Sequence, residues 1–240
     1  MLLAEGRKAL DAVAAATRRA QRMAAPRLVL AVKPGGGGEM LRTILARYEQ
    51  RPGALPVDLL FGGTERSAML RDGRADVGLL HRPQNDLAGL DSEDLFSEQQ
   101  VALLPDAHPL ARGESVHMDD LRADPLPLYP FADGTPPPGL TIGGTGEITQ
   151  LIALGRLIAV LPESVTDRVP RGVTWLPVAG APVTTLVVAW PRDSRSLPVA
   201  EFVRVAADVA AARRPSASQP GPPAAGRSRN SVSVYRFVRS

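Results

Sequence analysis

The chain has 240 residues, 44% of them apolar and only 4% aromatic, enough for one large domain or two small ones whose core must rest on Ala, Val and Leu. With no cysteine and three scattered histidines, His81, His108 and His117, disulfides, thiolate metal sites and thiol nucleophiles are excluded, and neither a metal nor a cofactor is expected. The basic pI of 9.8 comes from the two ends: residues 1–26 carry a net +3 and 213–240 a net +6, leaving 27–212 at −6, whereas a duplex-binding domain carries its basic face on the folded part.

Residues 2–23 are alanine-rich and free of proline, and Leu3, Leu10, Val13, Ala20 and Met23 form a loose apolar stripe. Arg18, Arg19 and Arg22 crowd the last turns, where cations suit the helix dipole. This predicts a linker helix over 1–26, stopped by Pro26, whose stripe needs a partner on this chain or on a second copy. From Arg27 the period changes. RLVLAVKP (27–34) reads as a strand, the glycines 35–38 lead into a helix over 39–50, LPVDLLFG (55–62) is a strand, and TERSAMLRDG (64–73) is a helix with Thr64 as N-cap and Gly73 at its left-handed end. ADVGLLH (75–81) is a third strand. Strand and helix alternating with short connections predict a parallel sheet of crossover units.

Residues 90–105 read as one extended strand or a pair with a bend. A short helix is expected after Ser115, then a strand ending at Tyr129, then a loop over 131–146 rich in proline and glycine. EITQLIALGRLIAVLPESV (147–165) gives a helix, a turn at Gly155 and a strand ending at Pro162. Strands at 172–180 and 184–191 and a helix over 197–214 close the fold. The order implies an α/β protein of two lobes with a hinge: lobe I from 27–103 and 181–212, and lobe II from 104–180. Residues 213–240, rich in Pro, Ser, Gly, Ala and Arg, read by composition as a disordered tail.

Ligands of open α/β sheets bind outside the carboxyl ends of the strands, and three such ends stand out: Lys33-Pro34 with the glycines, Gly62-Gly63-Thr64, and His81-Arg82-Pro83. KPGGGG lacks the lysine and hydroxyl that follow the last glycine of a phosphate-binding P-loop. Helix N–H groups and the Lys33 ammonium remain, a seat for a carboxylate or another small anion; the alternative is a merely permissive loop. GGTGEI (143–148) has no strand directly before it and so is not a dinucleotide fingerprint. No G-x-S-x-G elbow exists, and although Glu147 and His81 face one cleft if the lobes are so arranged, nothing reads as a catalytic constellation. His108 is most simply a surface or capping residue, and His117 a solvated one. No apolar run approaches the roughly 18 residues of a membrane span, and the charged N-terminus is a poor secretory signal, so a soluble cytoplasmic protein without membrane contact is expected.

LLFGGTERSAMLRDGRADVGLLHRP (59–83), LFSEQQVALLPDAHPLA (95–111), LIALGRLIAVLPESV (151–165) and TLVVAWP (185–191), in that order and spacing, resemble the effector-binding part of the LysR-type transcriptional regulators over about residues 1–212. The resemblance implies a two-lobed fold like that of a type II periplasmic binding protein, with a small metabolite in the cleft and a homodimer or higher homo-oligomer. It implies contact with DNA only through a winged helix-turn-helix that is missing here, where the N-terminal stretch looks like the end of that domain running into the linker helix. Two departures stand out. Residues 131–146 are short and proline-rich where lobe II ordinarily has more structure, and Gly35–Gly38 replace the Ser/Thr that often opens the first helix. The candidate contacts to a small, anionic effector are Lys33, Gly36, Gly37, Gly38, Gly63, Thr64, His81 and Arg82, with Tyr129, Thr145 and Glu147 across the cleft. The other readings are an enzyme on the same fold, such as a dehydratase of a small carboxylic acid, and a transport receptor.

Overall fold

The run RLVLAVKP forms a strand because both of its faces are covered. Leu28, Leu30 and Val32 belong to one hydrophobic cluster and Ala31 to another, the continuous burial that makes an inner parallel strand apolar at every position. The computed structural model describes residues 26–35, 38–63, 65–130, 142 and 144–213. The expected linker helix up to Ala25, most of the loop expected over 131–146, and the tail beyond Arg213 lie outside the described residues. In chain order the elements are β1 (Leu28–Val32), α1 (Gly38–Glu49), β2 (Val57–Phe61), α2 (Arg66–Arg71), β3 (Val77–Arg82), β4 (Leu90–Glu98), β5 (Gln100–Pro105), β6 (Val116–His117), α3 (Met118–Arg122), β7 (Leu128–Tyr129), α4 (Thr145–Ala153), β8 (Ile158–Pro162), β9 (Val173–Ala179), β10 (Thr184–Pro191) and α5 (Leu197–Arg213).

The first sheet has the order β2-β1-β3-β10-β4. Its first three strands are parallel, as the strand–helix alternation predicts, but β10 runs antiparallel to β3 and to β4. The sheet is therefore mixed. The reason is topological: β10 returns from the second lobe and enters beside the carboxyl end of β3, with Thr185 opposite Arg82. On one face α1 and α5 pack together, with Met40, Ile44 and Tyr48 meeting Phe202, Val205 and Val209. The rings of Tyr48 and Phe202 meet edge-on at 5.3 Å, a favoured aromatic geometry. On the other face Met69 and Leu70 of α2 cover Ala31, Leu80 and Val187. This helix is shorter than the expected 64–73: Glu65 holds the N-cap position without a side-chain cap bond, and Thr64, the expected cap, is outside the described residues. Gly73 takes the left-handed φ of +71° that the sequence predicts for the helix end.

The second sheet has the order β6-β9-β5-β8-β7. Ile148 and Ile152 of α4 pack on Val101, Leu103 and Ala159 from one side, and Leu121 of α3 packs with Ala102, Leu104 and Val160 from the other. The stretch 90–105 is thus the bent pair of strands, and it is also the first crossing between lobes. Because β5 pairs with β8 and β9, the chain changes lobe at Gln99, earlier than the boundary after 103 expected from sequence. The apolar run QVALLP extends the strand character of β4 without a break in composition, so only its pairing reveals the change. The return lies between Ala179 and Thr184.

His108 caps the 3-10 turn Pro109–Arg112, its Nδ1 accepting from the Leu110 N–H at 3.3 Å. It is not a surface residue. Its side chain is 7% exposed, with Nε2 3.0 Å from the Asp124 carboxylate, itself 9% exposed. The other Asp124 oxygen accepts from the Leu126 N–H, so the pair holds the turn against the chain leading into β7. His117 is exposed, as expected, and opens α3 in a capping box with Asp120. His108→Ala strips a buried carboxylate of one of its two donors, and a loss of about 1–3 kcal/mol is expected. Urea denaturation of the two proteins measures it, and a change below about 0.5 kcal/mol, the range of neutral surface substitutions, would remove the pair from the account of lobe II.

Candidate functional site

The carboxyl ends of β1, β2 and β3 are stitched to one another before any side chain is considered. The Gly62 N–H donates to the Val32 carbonyl at 3.0 Å, which brings Lys33, the first residue after β1, beside the loop Gly62-Gly63. Beyond β3 the chain turns sharply. The Asn85 N–H donates to the His81 carbonyl at 2.7 Å, and the His81 N–H donates back to Asn85 Oδ1 at 2.9 Å.

Arg66, in the first turn of α2, joins these ends. Its side chain is buried, the residue being 3% exposed, and it donates from Nε to the Gly63 carbonyl at 2.8 Å, from Nη1 to the Leu79 carbonyl, and from Nη2 to Asn85 Oδ1 at 3.1 Å. One guanidinium therefore links the end of β2, the end of β3 and the turn that follows. Burial pulls its pKa down to about 10, with exposed Glu65 and then Tyr129 opposing the shift, so it stays charged near neutral pH. Lys33 is shifted downward too, first by burial and then by repulsion from Arg66. His81 is driven down to about 3 by burial, Arg66 and Lys33, in that order, and its imidazole is neutral. From the second lobe, burial raises the Tyr129 phenol and the Arg66 charge lowers it. Arg66 thus acts on Lys33 and His81 beside it and on Tyr129 from the other lobe.

At the mouth of the space between them the lobes touch through glycines. A Cβ at Gly144 would lie 3.4 Å from the Pro34 side chain, and one at Gly38 would lie 3.4 Å from Nη2 of Arg168. Arg168 itself donates to the Gly35 carbonyl at 3.2 Å. It ends the 3-10 turn Glu163–Arg168, whose start is also tied to the first lobe. There the Ser164 N–H and hydroxyl donate to the two oxygens of Glu98, at 2.7 and 3.2 Å. Burial raises the Glu98 carboxyl and these donors oppose the shift.

Of the residues predicted from sequence, Lys33, His81 and Tyr129 gather around Arg66, and Gly63 supplies it a carbonyl. Gly38 and Thr145 lie at the mouth, where a Cβ on Gly35 would come 4.0 Å from Thr145 Cβ. Glu147 is exposed in the first turn of α4. Arg82 goes elsewhere: strand alternation puts it on the sheet face opposite His81, where it is exposed and ion-paired with Asp94. Gly36, Gly37 and Thr64 are outside the described residues. Sequence reading missed Arg66, Asn85 and Arg168. Arg66 had a signal, because it stands three and four residues before Met69 and Leu70, on the stripe that α2 buries. In a chain with so many arginines, that one did not stand out. Among the described residues no group of three His, Asp or Glu side chains is placed to hold a metal ion.

Two lobes joined by two crossings, with a polar cluster between them at the strand ends, define a ligand-binding fold of the hinged, two-lobed class. The chain belongs to the family described as the LysR substrate binding domain, whose model matches residues 21–211. It is 29% identical over 154 residues to the transcriptional dual regulator GltC of Bacillus subtilis, an alignment covering 56% of this chain and 51% of GltC. The chain thus spans about half the length of that relative. Two solved structures share the fold. The effector binding domain of QuiR in complex with shikimate superposes with a TM-score of 0.64 at 14% identity, covering 78% of this chain and 98% of that one. The BenM effector binding domain with its effector benzoate gives 0.59 at 19% identity, covering 78% and 92%.

The depressed His81 pKa carries a sign that can be tested. Between its folded value of about 3 and its ordinary 6.5, the unfolded chain binds a proton that the folded protein does not. Stability held above pH 6.5 is therefore lost as the pH falls through that window. Urea titrations at pH 7.5 and 5 are expected to show a smaller loss in His81→Gln than in the wild-type protein. Equal losses would mean that His81 is solvated.

Proposed function

We propose that this chain is the ligand-sensing part of a LysR-type transcriptional regulator and that a small anionic effector binds between its lobes. The observation that carries the reading is the placement of Lys33 and Arg66 on one wall, with Tyr129 facing them from the other lobe. An anion held by both walls favours the closed arrangement, and it shifts that equilibrium only by its differential affinity for the open and closed forms. The wall on the first lobe is rigid because Arg66 is tied to three backbone or amide acceptors. The relatives support the same class. GltC is named as a transcriptional regulator, and QuiR and BenM hold shikimate and benzoate in the corresponding domain. In the complete regulator the lobe movement would reach DNA-reading heads outside the region described, through a homo-oligomer in the cytoplasm. No helix among the described residues is long and apolar enough to cross a membrane.

The enzyme reading has no comparable support. The family is a regulator's binding domain, and a histidine held near pKa 3 is a poor general base at neutral pH.

A thermal-shift screen of small metabolites against the purified chain tests the proposal. A cognate effector is expected to raise the Tm, Lys33→Met and Tyr129→Phe to diminish the rise, and Arg82→Ala, on the far face of the sheet, to leave it intact. A ligand whose shift survives both cleft variants binds elsewhere and sinks the assignment.

A further inference from the structure

Arg66 is an unusual residue to find buried. A guanidinium taken out of water ordinarily faces a carboxylate, because the interior charge is otherwise uncompensated. Here its three described acceptors, the Gly63 and Leu79 carbonyls and the Asn85 amide oxygen, are all neutral. They account for Nε and for one hydrogen on each terminal nitrogen. Of the five N–H groups in the fork, one on each of Nη1 and Nη2 has no acceptor among the described residues. The acid that acts on Arg66, Glu65, is exposed to solvent.

The neighbour on the cleft side is a second cation. Lys33 forms no ion pair among the described residues, and it repels Arg66 across the same space. His81 contributes no charge, and Tyr129 adds a hydroxyl from the opposite lobe. The wall therefore holds two positive charges: Arg66, fixed by its carbonyl and amide acceptors, and Lys33 beside it, while the nearest acid, Glu65, lies exposed over Gly62 and Gly63 and offers Arg66 no hydrogen bond. A ligand with a single negative charge would satisfy one and leave the other buried beside it. Resting on the cleft reading above, we infer that the effector is a small dianion, its negative charge shared between Lys33 and Arg66. Two chemistries meet that description: a short dicarboxylate, and a phosphate or phosphomonoester.

Thermal shift and calorimetric titration at constant ionic strength separate the cases, with succinate and inorganic phosphate as the dianionic probes and butyrate as the monoanion matched to succinate in length. Succinate or phosphate is expected to raise the Tm, and whichever does so names the chemistry. Butyrate should bind about tenfold or more weakly, the penalty for one unpaired buried charge. Arg66→Gln, and independently Lys33→Met should the first variant fold poorly, should bring the dianion down to the level of butyrate. If butyrate matches the dianions and Lys33→Met weakens all of them alike, the cleft is an effector site for monoanions: this inference falls and the proposed function stands. If the probes bind but neither variant alters their affinity, both fall. The absence of any shift with succinate or phosphate overturns the dianion on its own.

Discussion

A guanidinium cannot shed its proton to enter a protein interior, so burying Arg66 obliges its surroundings to supply acceptors. The chain does so from three places that are distant in sequence: Gly63 after β2, Leu79 within β3, and Asn85 beyond the turn. Each acceptor is held by something else as well. Asn85 accepts from the His81 N–H, Leu79 is packed into the core under α1 and α5, and Gly63 sits next to the residue that bonds the end of β1. One side chain thereby fixes the relative positions of the strand ends that form the floor of the cleft. Burial first, and the Arg66 charge after it, keep His81 neutral and lower Lys33.

The second constraint is that the chain must pass twice between lobes. The crossings at Gln99 and at 180–183 lie side by side, since β4 and β10 are neighbours in the first sheet and β5 and β9 are neighbours in the second. Two adjacent strands bend more readily than a broad interface slides, which is the geometry of a hinge. The segment Glu163–Arg168 starts beside the first crossing, where Ser164 bonds Glu98 and the Glu163 N–H donates to the Gln99 carbonyl, and it ends away from the crossing, where Arg168 bonds Gly35. These are exposed or half-buried polar contacts, individually modest. The Arg168–Gly35 contact can make and break without competing with the cores that hold each lobe together.

Much of this was legible in the sequence because it depends on short-range chemistry. Periodic burial identified β1, β3, β8, β10 and α5 within a residue or two, and Gly73 and Gly155 adopt the positive φ expected of their turns. Lys33 and His81 were proposed by the rule that ligands gather at carboxyl strand ends, and the structure gathers both beside Arg66. Arg82 was proposed by the same rule, yet alternation along β3 sends adjacent residues to opposite faces, and its charge is taken by Asp94. The boundary at 103 failed for a related reason: β4 and β5 are both strands, and nothing local says which sheet a strand will join.

What the sequence determined by itself is most of the elements and the two-lobed class, because hydrophobic period, turn residues and chain order act over a few residues at a time. What only the tertiary structure decided is which charges face one another at the strand ends. Arg66 is one arginine among many until α2 packs on the sheet. Packing removes its water and brings it to Lys33, His81 and Tyr129, and electrostatic interactions become strong only where burial has lowered the dielectric and fixed the distance.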